Sequence, residues 1–119
     1  LCWVKGLRLE AAVDTGAFAS LLNTDTYIKL FGDVQEHRVS PPLLGVGIGG
    51  ASVELNKRVE LELNFAFHPV KLNLYLCKDL NSDILLGSDF FEEHCRGIDF
   101  KNMRLLFEGT SKYSKLYWK

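Results

Sequence analysis

From Val53 the chain alternates more cleanly than anywhere else. Val53, Leu55, Val59, Leu61, Leu63 and Phe65 fall on one side, and Glu54, Asn56, Arg58, Glu60, Glu62 and Asn64 on the other. Successive side chains of a strand point to opposite faces, so a period of two over this length predicts a strand with one wet face. Lys57 breaks the apolar set and predicts a bulge or an exposed strand end there. His68-Pro69 reads as the turn, after which Val70, Leu72, Leu74 and Leu76 alternate with Lys71, Asn73 and Tyr75. A long hairpin is expected, and the rest of the fold has to cover its apolar face.

Shorter signals surround it. Lys5-Gly6 is a turn signal, and beyond it Leu7, Leu9, Ala11 and Val13 alternate with Arg8, Glu10 and Ala12, a hairpin that delivers Asp14 at a strand end. Thr24 to Gly32 has N-cap candidates at one end and a C-cap glycine at the other, which predicts a short helix. Asp33 to Pro42 ends in two prolines, which neither continue a helix nor sit in a central strand, and reads as a connector. Lys78 to Asp83 is a polar loop, Ile84-Leu85-Leu86 a short apolar strand stopped by Gly87, and Ser88 a cap for a helix running to about Cys95. Ile98 and Phe100, then Lys101-Asn102, then Met103 and Leu105 predict a last hairpin, followed by a tail with Tyr113, Leu116, Tyr117 and Trp118.

Many short strands with little helix indicate an all-β closed or sandwich-like domain. At 119 residues, 47% hydrophobic and 24% charged, the chain fits one domain over residues 1–119. Its 14 basic and 15 acidic residues are scattered, so no phosphate-tracking surface and no nucleic-acid ligand are expected. No apolar run approaches the about 20 residues of a membrane span, and no signal-peptide pattern opens the chain. Leu1 in place of a start methionine leads to the expectation of a fragment or of a product released from a longer precursor. Cys2, Cys77 and Cys95 are an odd number without CxxC spacing, which argues against a disulfide framework and a structural zinc site and for a reducing compartment. His94-Cys95 is the one His/Cys adjacency, and it reads as a helix end rather than a metal or nucleophile site.

The chemistry-bearing stretch is Ala11 to Leu22. Asp is a poor strand residue and an ionised carboxylate is costly to bury, so Asp14 at the end of an apolar run needs a reason. An ordinary turn is one, because Gly16 tolerates unusual backbone or close approach and Asp and Thr side chains bond nearby amides. Gly45, Gly47 and Gly50 satisfy the spacing of a dinucleotide-binding loop. That loop needs a strand before it and a helix after it, whereas here prolines precede and an alternating strand comes after. A glycine-rich hairpin tip fits better, as a lid over a ligand or as a tight turn. Ser20 lacks a nucleophile-elbow context that would pair it with His37, His68 or His94.

Three segments occur in order: Ala12-Val13-Asp14-Thr15-Gly16-Ala17, the glycine-rich Gly45 to Gly50, and Leu85-Leu86-Gly87-Ser88-Asp89. Together, from Val4 to Phe107, they resemble the retroviral-type aspartic proteases, the retropepsins, and within them the retrotransposon and cellular retroviral-like members. The resemblance implies a closed β-barrel subunit with a flap hairpin and one or two short helices, and an active site at a homodimer interface. It implies catalytic Asp14, Thr15 and Gly16, with Asp14 of each copy in a proton-sharing dyad that activates water for peptide hydrolysis. Ala12, Ala17, Leu22, Gly47, Ile48, Gly49 and Leu85 would bind substrate, with Gly50 also on the flap tip. Ser20, Gly87 and Asp89 would be structural support. No metal or cofactor is implied; the partners are a second copy and an extended peptide or polyprotein, in the cytoplasm or a virus-like particle.

Departures from the family accompany the match. Many members carry an acidic residue after Asp-Thr-Gly-Ala and an Arg after the later Gly; this chain has Phe18 and Ser88, so that ion pair is missing. The chain opens just before its first hairpin, so an N-terminal interface strand is not expected, and residues 108–119 are the candidate dimer contact. The competing expectation is a retropepsin-like domain kept as a dimerisation or peptide-binding module, because fold alone does not give activity.

Overall fold

The computed structural model describes residues 1–32, 37–46, 52–65 and 68–117. Among them are strands β1 (Cys2–Val4), β2 (Leu7–Leu9), β3 (Ala11–Val13) and β4 (Leu21–Asn23), helix α1 (Thr24–Phe31), and strands β5 (His37–Val46), β6 (Ser52–Phe65), β7 (His68–Cys77) and β8 (Ile84–Leu86). Helix α2 (Ser88–His94) and strands β9 (Cys95–Asp99), β10 (Arg104–Phe107) and β11 (Tyr113–Lys115) complete the set. Eight strands form one nearly closed, barrel-like sheet in the order β2-β1-β6-β7-β4-β8-β3, with β5 also paired to β6. The others form a three-stranded sheet, β11-β10-β9. The fold is mostly β with two short helices, and no described helix is long and apolar enough to cross a membrane.

The alternating segment becomes the β6–β7 hairpin, in unbroken antiparallel register from Arg58↔Tyr75 to Phe65↔His68. Val59, Leu61, Leu63 and Phe65 of β6 and Val70, Leu72, Leu74 and Leu76 of β7 are buried, while Glu60 and Glu62 face water. His68 and Pro69 are strand residues paired with Phe65 and Asn64, not the turn; the strands are joined across residues 66–67. Pro69 is tolerated because it sits at the very start of its strand. Asp33 to Pro42 is not wholly a connector either, since β5 begins at His37. The register of β5 on β6 shifts between Arg38 and Leu43, so both prolines fall in a ladder interruption, where a missing N–H breaks no bond.

Lys5 and Gly6 both have positive φ, 51° and 80°, the geometry of a tight two-residue hairpin between β1 and β2. Helix α1 is capped one residue earlier than its threonines suggest: the Asp25 N–H donates to Asn23 Oδ1 at 2.9 Å. Gly32, at φ 78°, closes it by donating to the Ile28 carbonyl. Ser88 does not cap α2; it is the first helical residue, with Gly87 at the cap position and no side-chain cap.

The two sheets meet through aromatic rings. Phe65 of β6 lies 5.7 Å from Phe90 of α2 and 5.5 Å from Phe107 of β10, centroid to centroid, and His68 stacks on Phe107 at 4.4 Å. Burial, then Lys112 and His94, hold the His68 imidazole below its ordinary pKa. The tail is not free: β11 pairs with β10, Ser114 is buried, and Leu116 packs on the core. At the tip of the last hairpin, hydrogen bonds from Arg104, at 2.7 Å, and from Asn102 hold the Asp99 carboxyl down at about 2. A depressed folded pKa contributes stability that is present above the unfolded value and lost as pH falls through the folded one. The urea midpoint of the wild type is therefore expected to fall from about pH 4 to about pH 2 more steeply than that of Asp99→Asn.

Candidate active site

Asp14 stands where β3 ends. β3 runs parallel to β8 with Ala11↔Ile84, Ala12↔Leu85 and Val13↔Leu86, and the ladder is closed by Ile84 N–H to the Glu10 carbonyl at 3.1 Å and Asp14 N–H to the Leu86 carbonyl at 3.0 Å. The chain then turns: Ala17 N–H donates to the Asp14 carbonyl at 3.2 Å, and Gly16 N–H donates to Asp14 Oδ1 at 3.0 Å. The carboxylate is thus oriented by its own loop while Asp14, Thr15 and Gly16 remain exposed. A Cβ on Gly16 would meet Asp14 Oδ1 at 3.4 Å, an ordinary contact, and its φ is not positive. Nothing inside the described chain demands glycine there.

Beneath the loop lies a closed set of hydrogen bonds. The Ser20 hydroxyl donates to Asp89 Oδ1 at 2.6 Å and accepts from the Gly87 N–H at 2.9 Å, and the Ser20 N–H donates to Asp89 Oδ2 at 3.1 Å. The Phe90 N–H donates to Asp89 Oδ1 at 2.8 Å, so the Asp89 carboxylate is spent on α2 and the 14–20 loop. Ser20 is fully buried and its hydroxyl engaged. Gly87 is glycine because of close approach: a Cβ would stand 2.6 Å from the Ala19 carbonyl oxygen and 2.7 Å from that of Ala17. Beside Gly87, the Ser88 N–H donates to the Ala17 carbonyl at 2.6 Å and its hydroxyl to the Phe18 carbonyl at 3.3 Å.

Ala12 and Leu85 are half-buried neighbours across the β3–β8 pair, and Ala17 is half-buried on the loop. Leu22 is 0% exposed and belongs to the core, which removes it from any pocket lining. Gly47, Ile48, Gly49 and Gly50 lie outside the described residues. Thr15 lines a groove of about 310 Å³ with Phe91, Cys95, Arg96, Gly97, Ile98 and Phe100. A larger groove, about 520 Å³, runs past Trp3, Lys5, Phe31, Glu60 and Glu62 and shares no residue with the Asp14 loop. Among the described residues no three His, Cys, Asp or Glu side chains are grouped to hold a metal ion. Burial raises all three thiols, Cys2 to about 11, and His94 sits against Phe90.

Asp83, expected from the sequence to be one more residue of a polar loop, holds the far end of β3. Its carboxylate accepts from the Glu10 N–H at 2.9 Å and the Thr26 hydroxyl at 2.7 Å, and its carbonyl from the Asn23 N–H at 2.8 Å. One signal pointed to it: like Asp14, it abuts a three-residue apolar strand. Gly87→Ala is expected to prevent folding or to displace the 17–19 backbone, read by circular dichroism and thermal melting. Ser20→Ala, which leaves the buried Gly87 N–H without a partner and takes one of the two hydrogen bonds from Asp89 Oδ1, should cost about 1–3 kcal/mol in urea unfolding.

No protein-family model matches the sequence, and no curated protein matches it. Solved structures do. The retroviral protease-like domain of Ddi1 from Leishmania major superposes with a TM-score of 0.70 at 24% identity, over 98% of this chain and 90% of that one. The EIAV protease, solved with a bound inhibitor, superposes with a TM-score of 0.59 at 18% identity, over 77% of this chain and 82% of that one. At such identities the likeness establishes the architecture, and this chain has the retropepsin-like fold.

Proposed function

We propose that the chain is one half of an aspartic endopeptidase that works as a homodimer on extended peptide segments. The observation that carries this reading is the state of Asp14: an exposed carboxylate, oriented by the Gly16 N–H and fixed at both ends of β3, with no second carboxylate bonded to it among the described residues. Asp89, the other carboxylate next to an apolar-Gly motif, is committed to Ser20 and Phe90. Metal-free peptide hydrolysis needs a base for water and an acid for the leaving amine. A second copy, related by a two-fold axis through the Asp14 loops, supplies the missing group.

In the dimer the two Asp14 carboxyl groups hold one proton between them. The ionised one takes a proton from water as its oxygen attacks the peptide carbonyl. The protonated one gives its proton to the carbonyl oxygen, and collapse of the tetrahedral intermediate passes a proton to the departing nitrogen. Thr15 bonds across the axis, and Gly16, which nothing among the described residues requires to be glycine, leaves room for groups arriving from outside. By the resemblance, Gly47, Ile48 and Gly49 are assigned to covering the substrate, and Ala12, Ala17 and Leu85 to apolar pockets beside the cut bond. Exposed Val13, Phe18 and Phe100 give the site region apolar surface to cover, which supports pairing.

Residues 1–119 act as one domain, with 108–119 as a dimer contact through exposed Tyr113 and Tyr117. The three free thiols support a reducing compartment, in the cytoplasm or a virus-like particle, and a retroelement polyprotein or host protein as substrate. Incubated with a denatured protein substrate at mildly acidic pH, the dimer should cleave it, and an aspartic-protease inhibitor should stop it. Asp14→Asn should lower the rate by about 10³-fold or more while leaving sedimentation unchanged. Cleavage that survives Asp14→Asn excludes the chemistry; a confirmed dimer that cleaves nothing is a binding or dimerisation module.

A further inference from the structure

The larger groove, about 520 Å³, shares no residue with the Asp14 loop and has no part in the proposed chemistry. Strand pairing fixes which side chains face it. Cys2 and Val4 of β1 are buried, so Trp3 between them points the other way, and it is 40% exposed. Trp3 pairs with Asn64 of β6, where Leu61 and Leu63 are buried and Glu60 and Glu62 are exposed. Side chains directly opposite share a face, and so do those two apart along a strand, so Trp3, Asn64, Glu62 and Glu60 stand on one face of the sheet. All four line the groove, and Phe31 at the end of α1 is its other aromatic wall.

The charges on these walls are unevenly matched. Lys5 Nζ lies 4.6 Å from the centre of the Phe31 ring, so the cation of this lining is drawn to that wall. Glu60 and Glu62 have no ion-pair partner among the described residues: Lys71 stands opposite Glu62 on β7 and Arg58 two residues before Glu60, but neither forms an ion pair with them. The Trp3 indole likewise has no ring or cation partner among the described residues. Toward β6 the groove thus offers an open aromatic face and two unmatched carboxylates. A cation satisfies both, because an ammonium or guanidinium is attracted to an indole face and to a carboxylate at once.

Spacing turns one cation into two. Trp3 and Glu62 are diagonal neighbours across the β1–β6 pair, about 7–8 Å apart at Cα, so one basic side chain reaches both. Glu60 is two strand residues farther, about 6.6 Å along β6, which is the repeat of alternate side chains in an extended peptide. We propose that this groove is a docking site for an extended peptide segment with Arg or Lys at two alternate positions, the first basic group on Trp3 and Glu62 and the second on Glu60. No residue of the Asp14 loop takes part, so the site stands whether or not the chain is a protease.

The test is fluorescence anisotropy at low salt with a labelled threonine peptide carrying two arginines at alternate positions. Two further peptides have the arginines adjacent or replaced by glutamate. The alternate peptide should bind, adjacency should weaken binding about 3-fold or more, and the glutamate peptide should not bind. Glu60→Gln/Glu62→Gln should weaken it about 10-fold and Trp3→Leu about 3-fold. Melting temperatures should stay near that of the wild type, because all three side chains are on the exposed face. Glu92→Gln/Glu93→Gln, which removes the same charge from exposed positions of α2, should leave the affinity unchanged, and so should Asp14→Asn. Equal weakening by the α2 pair overturns the proposal in favour of bulk charge attraction, and loss of binding in Asp14→Asn overturns it in favour of the Asp14 site. Absence of binding, or equal binding of the adjacent-arginine peptide, also overturns it. Displacement of the peptide by spermidine at equal concentration makes the occupant a small polyamine and overturns the peptide assignment.

Discussion

The parallel pairing of β3 with β8 is the contact on which the site depends. Two three-residue strands from opposite ends of the sequence lie side by side, and each leads into one half of the same construction: β3 into Asp14 and its turn, β8 into Gly87 and Asp89. So short a parallel pair is weak by itself, and everything near it makes up the difference. Asp83 ties the start of β3 to β8 and α1, the Asp14 N–H extends the ladder at the other end, and Ser20 and Asp89 bridge the two segments beyond it. Polar groups buried at such a junction are stabilising only when all are satisfied, and here Ser20 is satisfied as donor and acceptor at once.

Rigidity and exposure are divided along the loop. The backbone from Asp14 to Ser20 is held by amides, a hydroxyl and a glycine that admits two carbonyl oxygens, while the side chains of Asp14, Thr15 and Phe18 project outward. That division suits chemistry in which a carboxylate must be placed accurately yet meet groups from another molecule. Ser88 serves the same end. A hydroxyl and an amide on two carbonyls fix the loop without a buried charge.

The cores of the two sheets are joined by Phe65, Phe90 and Phe107, one from the long hairpin, one from α2 and one from the last hairpin. Helix α2 begins at Ser88 and carries both Asp89, which bonds the Asp14 loop through Ser20, and Phe90, which packs on Phe65. The helix that anchors the loop is therefore itself anchored by aromatic packing. Loss of ring packing would reach the site through α2.

Strand periodicity, the hairpin turns at Lys5-Gly6 and Lys101-Asn102, the α1 glycine cap and the ordered motifs around Asp14 and Gly87 were legible in the sequence, because each is a local property of adjacent residues. The strand status of His68, Pro69 and residues 37–42 was not, because a proline at a strand start or a ladder interruption and one in a loop look alike until the partner strand is known. Nor was Asp83, whose partners Glu10 and Thr26 are distant in sequence. Leu22 and Leu85 are equally apolar in the sequence, and only packing decided that the first is sealed in the core and the second lies half-open beside Ala12. What the residues determined alone was the strand periodicity and the order of the motifs around Asp14 and Gly87; which side chains meet was decided by tertiary contacts between segments some seventy residues apart, as Ser20 and Asp89 are at a separation of 69.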